Sequence, residues 1–251
     1  MTLAALPMYD RRETAAANDR FWKLIRLQLA SGPESLCRNR DPWEIWQSPD
    51  LFLAQTCSYP YRTCLQDKVT LVGTPDYGLN GCAPGYYYSV LVVRKQDGSL
   101  GLSDFADRVF AVNDGMSQSG WVAAQGHAAD SGLSFSQPVL TGSHLKSAKA
   151  VAENRADIAA IDAISWDRMC LWDDFTDNLT VLEKTTPSPG LPLIAAKGAN
   201  QDKLFTACAS AIARLGQDDR DILHLKGMTY IPSETYIAQP TPAPLKTQSR
   251  I

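Results

Sequence analysis

The strongest constraint on this chain is an alternation: short β-type runs and segments of helical period follow one another along most of its length. Residues 3–6 form a short apolar run stopped by Pro7, which predicts a buried first strand. Phe21, Leu24, Ile25 and Leu29 then recur at helical spacing, with Asp19, Arg20, Lys23 and Arg26 between them, and Gly32-Pro33 ends the pattern. Strands are expected at 51–54, 69–73 and 86–93. Further strands are expected at 109–112, 139–141 and 158–161, interleaved with helices from about 119, over 143–153 and over 164–171. A breaker cluster at 186–190 precedes a strand at 191–196 and a last clear helix at 202–215. Strands alternating with helices require crossover connections, so the fold class is α/β with mostly parallel sheets. The polar, Pro-rich tail from Gln239 is expected to lie extended on the surface or to be disordered.

Composition removes several functions. Lys and Arg number 24 against 27 Asp and Glu in 251 residues, scattered without a basic stripe, which argues against nucleic acid or a membrane surface as partner. No apolar run approaches the ~20 residues needed to span a bilayer, so no membrane insertion is expected. The opening residues lack a basic n-region, and Tyr9, Asp10 and Arg11 follow a short apolar stretch. They do not read as a signal peptide, which places the chain as written in the cytoplasm. Six cysteines (Cys37, Cys57, Cys64, Cys82, Cys170, Cys208) show neither a C-x-x-C pair nor zinc spacing. Free thiols are favoured, with one or two disulfides among the first four left open. His127, His144 and His224 lack metal-ligand spacing, and no phosphate-cradling or dinucleotide fingerprint occurs, so no metal and no cofactor is expected.

Four segments carry candidate binding chemistry. In Phe110-Ala-Val-Asn-Asp-Gly-Met-Ser-Gln-Ser-Gly-Trp121 a buried strand leads into a polar loop that opens a helix. Ser117, Gln118, Ser119 and Gly120 stand at that helix N-terminus, where unpaired N–H groups and the positive dipole end suit an anion. The same serines also serve as helix caps. Thr141-Gly-Ser-His144 repeats the arrangement, and a helix N-terminus pushes His144 towards its neutral form. The strand Ile-Ala-Ala-Ile before Asp162 puts a carboxylate at a strand's C-terminal end, where it can take a ligand amine or hydroxyl or cap the next helix. Gln55-Thr56-Cys57-Ser58-Tyr59 follows another strand with hydroxyl, amide and aromatic groups, and Tyr9 occupies the equivalent position after the first strand. No Gly-x-Ser-x-Gly elbow accompanies Ser119, His144 and Asp162, so no catalytic residue is assigned.

Taken in order, Gln55-Thr-Cys-Ser-Tyr59, Gly73-Thr-Pro-Asp-Tyr77, Tyr87-Tyr-Ser-Val90, Val112-Asn-Asp114 with Ser117-Gln-Ser-Gly120, Thr141-Gly-Ser-His144 and Ala156-Asp-Ile-Ala-Ala-Ile-Asp162 resemble the phosphate/phosphite/phosphonate-type substrate-binding proteins of ABC transporters. That family is a branch of the type II periplasmic binding proteins. The resemblance implies two lobes joined by two crossover strands that act as a hinge, with a small ligand clamped between them. The first lobe would comprise residues 1–93 and 191–251, the second 94–190. It implies an oxyanion held at Ser117, Gln118 and Ser119, His144 as a further donor, and Asp162 for a ligand amine. It also implies periplasmic location, an ABC permease as partner, and a monomer. Gln118 stands where many relatives have Thr. The rival readings are a cytoplasmic enzyme on the same fold, of the menaquinone-pathway or pyrimidine-synthase kind with His144 as general base, and a soluble ligand sensor.

Overall fold

The structure is a computed structural model that describes residues 2–245. In chain order it runs β1 (Leu3–Ala5), α1 (Ala15–Leu29), α2 (Pro42–Trp46), β2 (Leu51–Gln55), α3 (Ser58–Pro60), β3 (Val69–Asp76), β4 (Tyr86–Tyr87), β5 (Ser89–Arg94) and β6 (Val109–Val112). It continues with α4 (Ala123–Asp130), β7 (Gln137–Leu140), α5 (His144–Ala152), β8 (Ile158–Asp162), α6 (Ala163–Trp172), β9 (Leu179–Lys184) and β10 (Ser188–Pro189). The chain ends through β11 (Leu193–Ala196), α7 (Gln201–Arg214), α8 (Gln217–Leu223), β12 (Gly227–Thr229) and α9 (Ser233–Ile237).

Two compact units result. One holds residues 2–86 together with Pro189–Ala238; the other holds Tyr87–Ser188 and residues 239–245. The expected first lobe limit at residue 93 lies inside β5, which pairs along its length with β8 and β9 of the second unit. The two passages of the chain, β4 and β10, pair as a two-stranded ladder.

The first unit's sheet has the order β1-β2-β11-β3-β12. Of the helical stripe read from sequence, Phe21, Ile25 and Leu29 are buried and Leu24 is half-buried; with Trp22, outside that stripe, they meet Leu204, Ala207, Cys208, Ala211 and Ile212 of α7 on one face. Each large apolar side chain removed from water there stabilises by about 1.5–3 kcal/mol. Ala30 ends α1 in the left-handed region (φ 52°), its N–H returning to the Arg26 carbonyl, so the helix stops two residues before Gly32. The other face is sealed by Ile45, Trp46, Tyr61, Leu65 and Tyr236. The Tyr236 hydroxyl reaches Thr74 Oγ1, which anchors α9 to β3.

The second unit's sheet has the order β7-β6-β8-β5-β9. Its core gathers Val90, Val92, Ala111, Ala148, Val151, Ala159 and Ile161, while Phe110 stacks on Phe135 with ring centroids 4.4 Å apart. Both sheets are mixed rather than mostly parallel. β1–β2, β6–β7 and β6–β8 are parallel, whereas β5 and β11 run antiparallel to both their neighbours. The reason lies in the connections. Parallel neighbours need a crossover helix, and β5 and β11 are entered directly from the opposite unit without one.

Residues 239–245 form no helix or strand. They lie against the second unit, where Trp121 Nε1 donates to the Ala243 carbonyl at 3.3 Å. The rest of the tail, residues 246–251, falls outside the described residues. No helix among the described residues is long and apolar enough to cross a membrane.

Candidate functional site

β6 delivers the chain into a tight loop at Asn113–Met116. Asp114 shapes it: its carboxylate accepts from the Met116 amide at 2.6 Å and its carbonyl from the Ser117 amide at 3.1 Å. Ser117 then caps the helix, its Oγ accepting from Gly120 N at 2.9 Å. The helix opens as a π-turn over Gln118–Val122, with Val122 N reaching back to Ser117 O, before settling into α4. Such a turn inside a helix is common at functional sites. Ser117, Gln118 and Ser119 are all buried, and the two hydroxyls stand 3.4 Å apart.

Gly120 has a packing role that sequence reasoning did not find. A Cβ there would fall 1.8 Å from Asn113 Oδ1. The side of this glycine where a Cβ would stand is filled by the Asn113 carboxamide, whose Oδ1 is buried without a partner among the described residues.

His144 opens α5, one residue after its cap Ser143, whose Oγ accepts from Lys146 N. Because β6 and β7 are parallel neighbours in register (Val112 opposite Leu140), the two helix starts that follow them lie side by side. The result is a contact of 2.8 Å between Ser119 Oγ and His144 Nε2. Burial pushes the imidazole down to about 4, against an opposing hydrogen bond with the Ala160 backbone. The ring is therefore neutral at pH 7. Its Nδ1 is buried without a well-aligned partner among the described residues. Ser117, Gln118, Ser119, Gly120 and His144 thus form a group without formal charge. It can hold an anion only through hydrogen bonds and helix dipoles.

Asp162 ends β8 and is buried, and its Oδ1 accepts from the Ser165 amide at 2.9 Å. That bond caps α6.

The remaining sequence candidates lie in the first unit. Tyr9 sits on the short 3-10 turn after β1, edge-on to the Tyr77 ring at 5.0 Å. Gln55 at the end of β2 donates to the Tyr77 hydroxyl at 2.9 Å and to the Leu191 carbonyl at 3.3 Å. Tyr77 was noted in sequence only as part of a family motif, yet it ties Tyr9 to Gln55. Thr56 is fully buried, Cys57 is half-buried, and the Arg62 guanidinium lies over the Tyr59 ring at 4.8 Å from its centroid. A buried arginine on an aromatic face was not foreseen, because Arg62 shows no pattern in the sequence around it. No cluster of three or more metal-ligating side chains occurs among the described residues.

Comparison with known proteins agrees with this architecture. No curated protein sequence matches the chain. Among solved structures, PhnD1 from Prochlorococcus marinus (MIT 9301) in complex with methylphosphonate superposes with a TM-score of 0.75 at 16% identity, covering 94% of each chain. A binding protein component of an ABC phosphonate transporter from Pseudomonas aeruginosa gives 0.68 at 16% identity, covering 91% of this chain and 82% of its own. An ancestral arginine-binding protein bound to arginine gives 0.59 at 14% identity, covering 88% of this chain and 96% of its own. These likenesses establish the type II periplasmic-binding-protein fold. A family model described as the periplasmic substrate-binding protein of phosphonate ABC transporters matches residues 50–234, well over half of the sequence. The family is one of binding proteins and not of enzymes, and the chain belongs to it: it is a member of the phosphonate ABC-transporter substrate-binding family.

Proposed function

We propose that this chain binds a small phosphonate, or a phosphate-like oxyanion of similar size, at the start of the helix that follows β6, as the solute-binding component of an ABC-type uptake system. The observation that carries the reading is the 2.8 Å contact between Ser119 Oγ and His144 Nε2, which joins two helix starts in one largely buried, uncharged group.

The chemistry follows from the imidazole. A neutral ring carries one N–H, and a serine hydroxyl both donates and accepts. With the proton on Nε2, His144 donates to Ser119 Oγ and the Ser119 hydrogen is left for an oxyanion; with the proton on Nδ1, towards the Ala160 backbone, Ser119 donates to the ring and Ser117 supplies the hydrogen to the anion. Ser117, whose oxygen already accepts from Gly120 N, has its hydroxyl hydrogen to offer as well. Hydrogen bonds to an ionised acceptor are roughly twice as strong as neutral ones. The methylphosphonate in the Prochlorococcus relative supports this ligand class.

The test is calorimetric titration with methylphosphonate, inorganic phosphate, sulfate and acetate. Methylphosphonate or phosphate is expected to bind one to one, with affinity falling about 10- to 100-fold in Ser119→Ala, the loss of one charge-assisted hydrogen bond. Equal binding by wild type and Ser119→Ala, or preference for acetate, would sink this assignment.

A further inference from the structure

We propose that Ser89 is a positioning residue for the anion-binding turn, and that it couples this turn to Thr185, which leads into the returning passage β10. This role deepens the anion-binding reading of Ser117–Gly120 and rests on it for its functional meaning.

Ser89 opens β5 directly after the outgoing passage at Tyr86–Tyr87 and is 1% exposed. Three of its polar groups are committed. Its Oγ donates to the carbonyl of Ser119 at 3.0 Å. Its N–H donates to Thr185 Oγ1 at 2.9 Å, and its carbonyl accepts from the Thr185 amide at 2.9 Å. Thr185 is buried in turn, and it lies between β9 and the returning passage β10. One residue at the start of β5 therefore grips Thr185 with its backbone and the ligand-binding turn with its side chain.

The Ser119 end of this link gives it a function. Ser119 is held at two points, its carbonyl by Ser89 and its hydroxyl by His144, 30 and 25 residues away in sequence. Two anchors on one residue fix where its hydroxyl points, which a cap or a packing contact alone does not do. Because Ser89 and Ser119 are buried, breaking the bond between them leaves an unsatisfied polar atom rather than a hydrated one. The bond is therefore kept while a ligand draws on the Ser119 hydroxyl. Any stiffening of Ser119 by an anion is passed to the Ser89–Thr185 pair, and by linkage the pair sets the anion's affinity in return.

Ser89→Ala removes the donor with almost no change of shape. Without ligand, the Trp121 and Val122 amides should exchange roughly tenfold faster with solvent, as the turn loses its outside anchor. Methylphosphonate affinity should fall about five- to tenfold, and Ser89→Thr, which restores a hydroxyl, should recover most of it. With wild-type protein, saturating methylphosphonate should slow exchange of the Ser89 and Thr185 amides; in Ser89→Ala it should not. If Ser89→Ala fails to fold, Thr185→Val keeps the shape, removes only the oxygen that accepts from Ser89 N, and carries the same expectations at smaller size. Unchanged exchange in the turn, or methylphosphonate binding within twofold of wild type, overturns the role. Silence of wild type towards every anion overturns the ligand assignment instead, while the ligand-free exchange comparison still decides whether Ser89 positions the turn.

Discussion

Ser119 Oγ lies 2.8 Å from His144 Nε2, although the two residues belong to different helices and are 25 positions apart. Neither helix places the pair; the parallel register of β6 and β7 does, by bringing both strand ends to the same edge of the sheet. The contact is made by a ring that burial keeps neutral, so the hydroxyl–imidazole pair works as a hydrogen-bond relay and not as an ion pair.

The depressed imidazole has a consequence for stability. A folded-state value of about 4 lies below the ordinary value of 6.5, so between these the unfolded chain binds a proton that the folded chain refuses. Stability from this group is full above pH 6.5, falls as pH drops through the window and levels off below about 4, for a total of about 3 kcal/mol. Replacing the ring by an amide in His144→Gln should flatten this part of the curve. Denaturant titrations at pH 4, 5, 6 and 7 measure it; parallel curves for wild type and variant would refute the buried neutral ring.

Ser117 and Ser119 should separate in their effects. Ser117 is the helix cap, so Ser117→Ala should cost about 1 kcal/mol of stability together with some affinity. Ser119 makes no capping bond, so Ser119→Ala should act mainly on the anion, with a stability cost near that of one unmet hydrogen bond, about 1–2 kcal/mol. Thermal unfolding and phosphonate titration of both variants check this. A larger affinity loss in Ser117→Ala than in Ser119→Ala would exchange their roles.

Gly120→Ala should displace the Asn113 side chain rather than the helix. The added methyl meets the far end of a carboxamide, at 1.8 Å from Oδ1, with Ser117 Oγ next at 3.2 Å. Overpacking of this kind costs about 1–3 kcal/mol. The double variant Asn113→Ala with Gly120→Ala should recover much of that cost. Additive losses in the double-mutant cycle would show that the two residues do not compete for the space.

Thiol reactivity should follow burial. Cys208 is fully buried in the α7 face of the core and burial pushes its thiol up to about 12, whereas Cys170 is exposed. Native alkylation should label Cys170 at least about 100-fold faster than Cys208, which reacts only when the core opens. Mass spectrometry of partially labelled protein reads the two sites separately, and equal rates would contradict the packing of α7.

Much of the fold was legible before any coordinates. The stripe of α1, the runs that became β2, β6 and β8, and the strand-to-helix junctions at Ser117 and Ser143 are local patterns, written in residues within a turn or two of one another. The short elements were not: α2, α8, β12 and α9 carry too few periodic positions to stand out. Residues 86–93 read as one strand but break at Tyr88 into β4 and β5. The cap-or-ligand ambiguity of Asp162 likewise had no answer in the sequence, because both readings want a carboxylate at the end of a strand.

What the amino-acid order determined by itself was which segments bury a face and where helices begin, since periodicity and capping act over a few residues. Strand order decided the rest. The antiparallel direction of β5 and β11, the pairing of Tyr77 with Tyr9 and Gln55, the filling of the space over Gly120 by Asn113, and the meetings of Ser119 with His144 and Ser89 all depend on which distant strands become neighbours. That choice is made by the burial of whole sheet faces, a long-range energy that no local window of sequence contains.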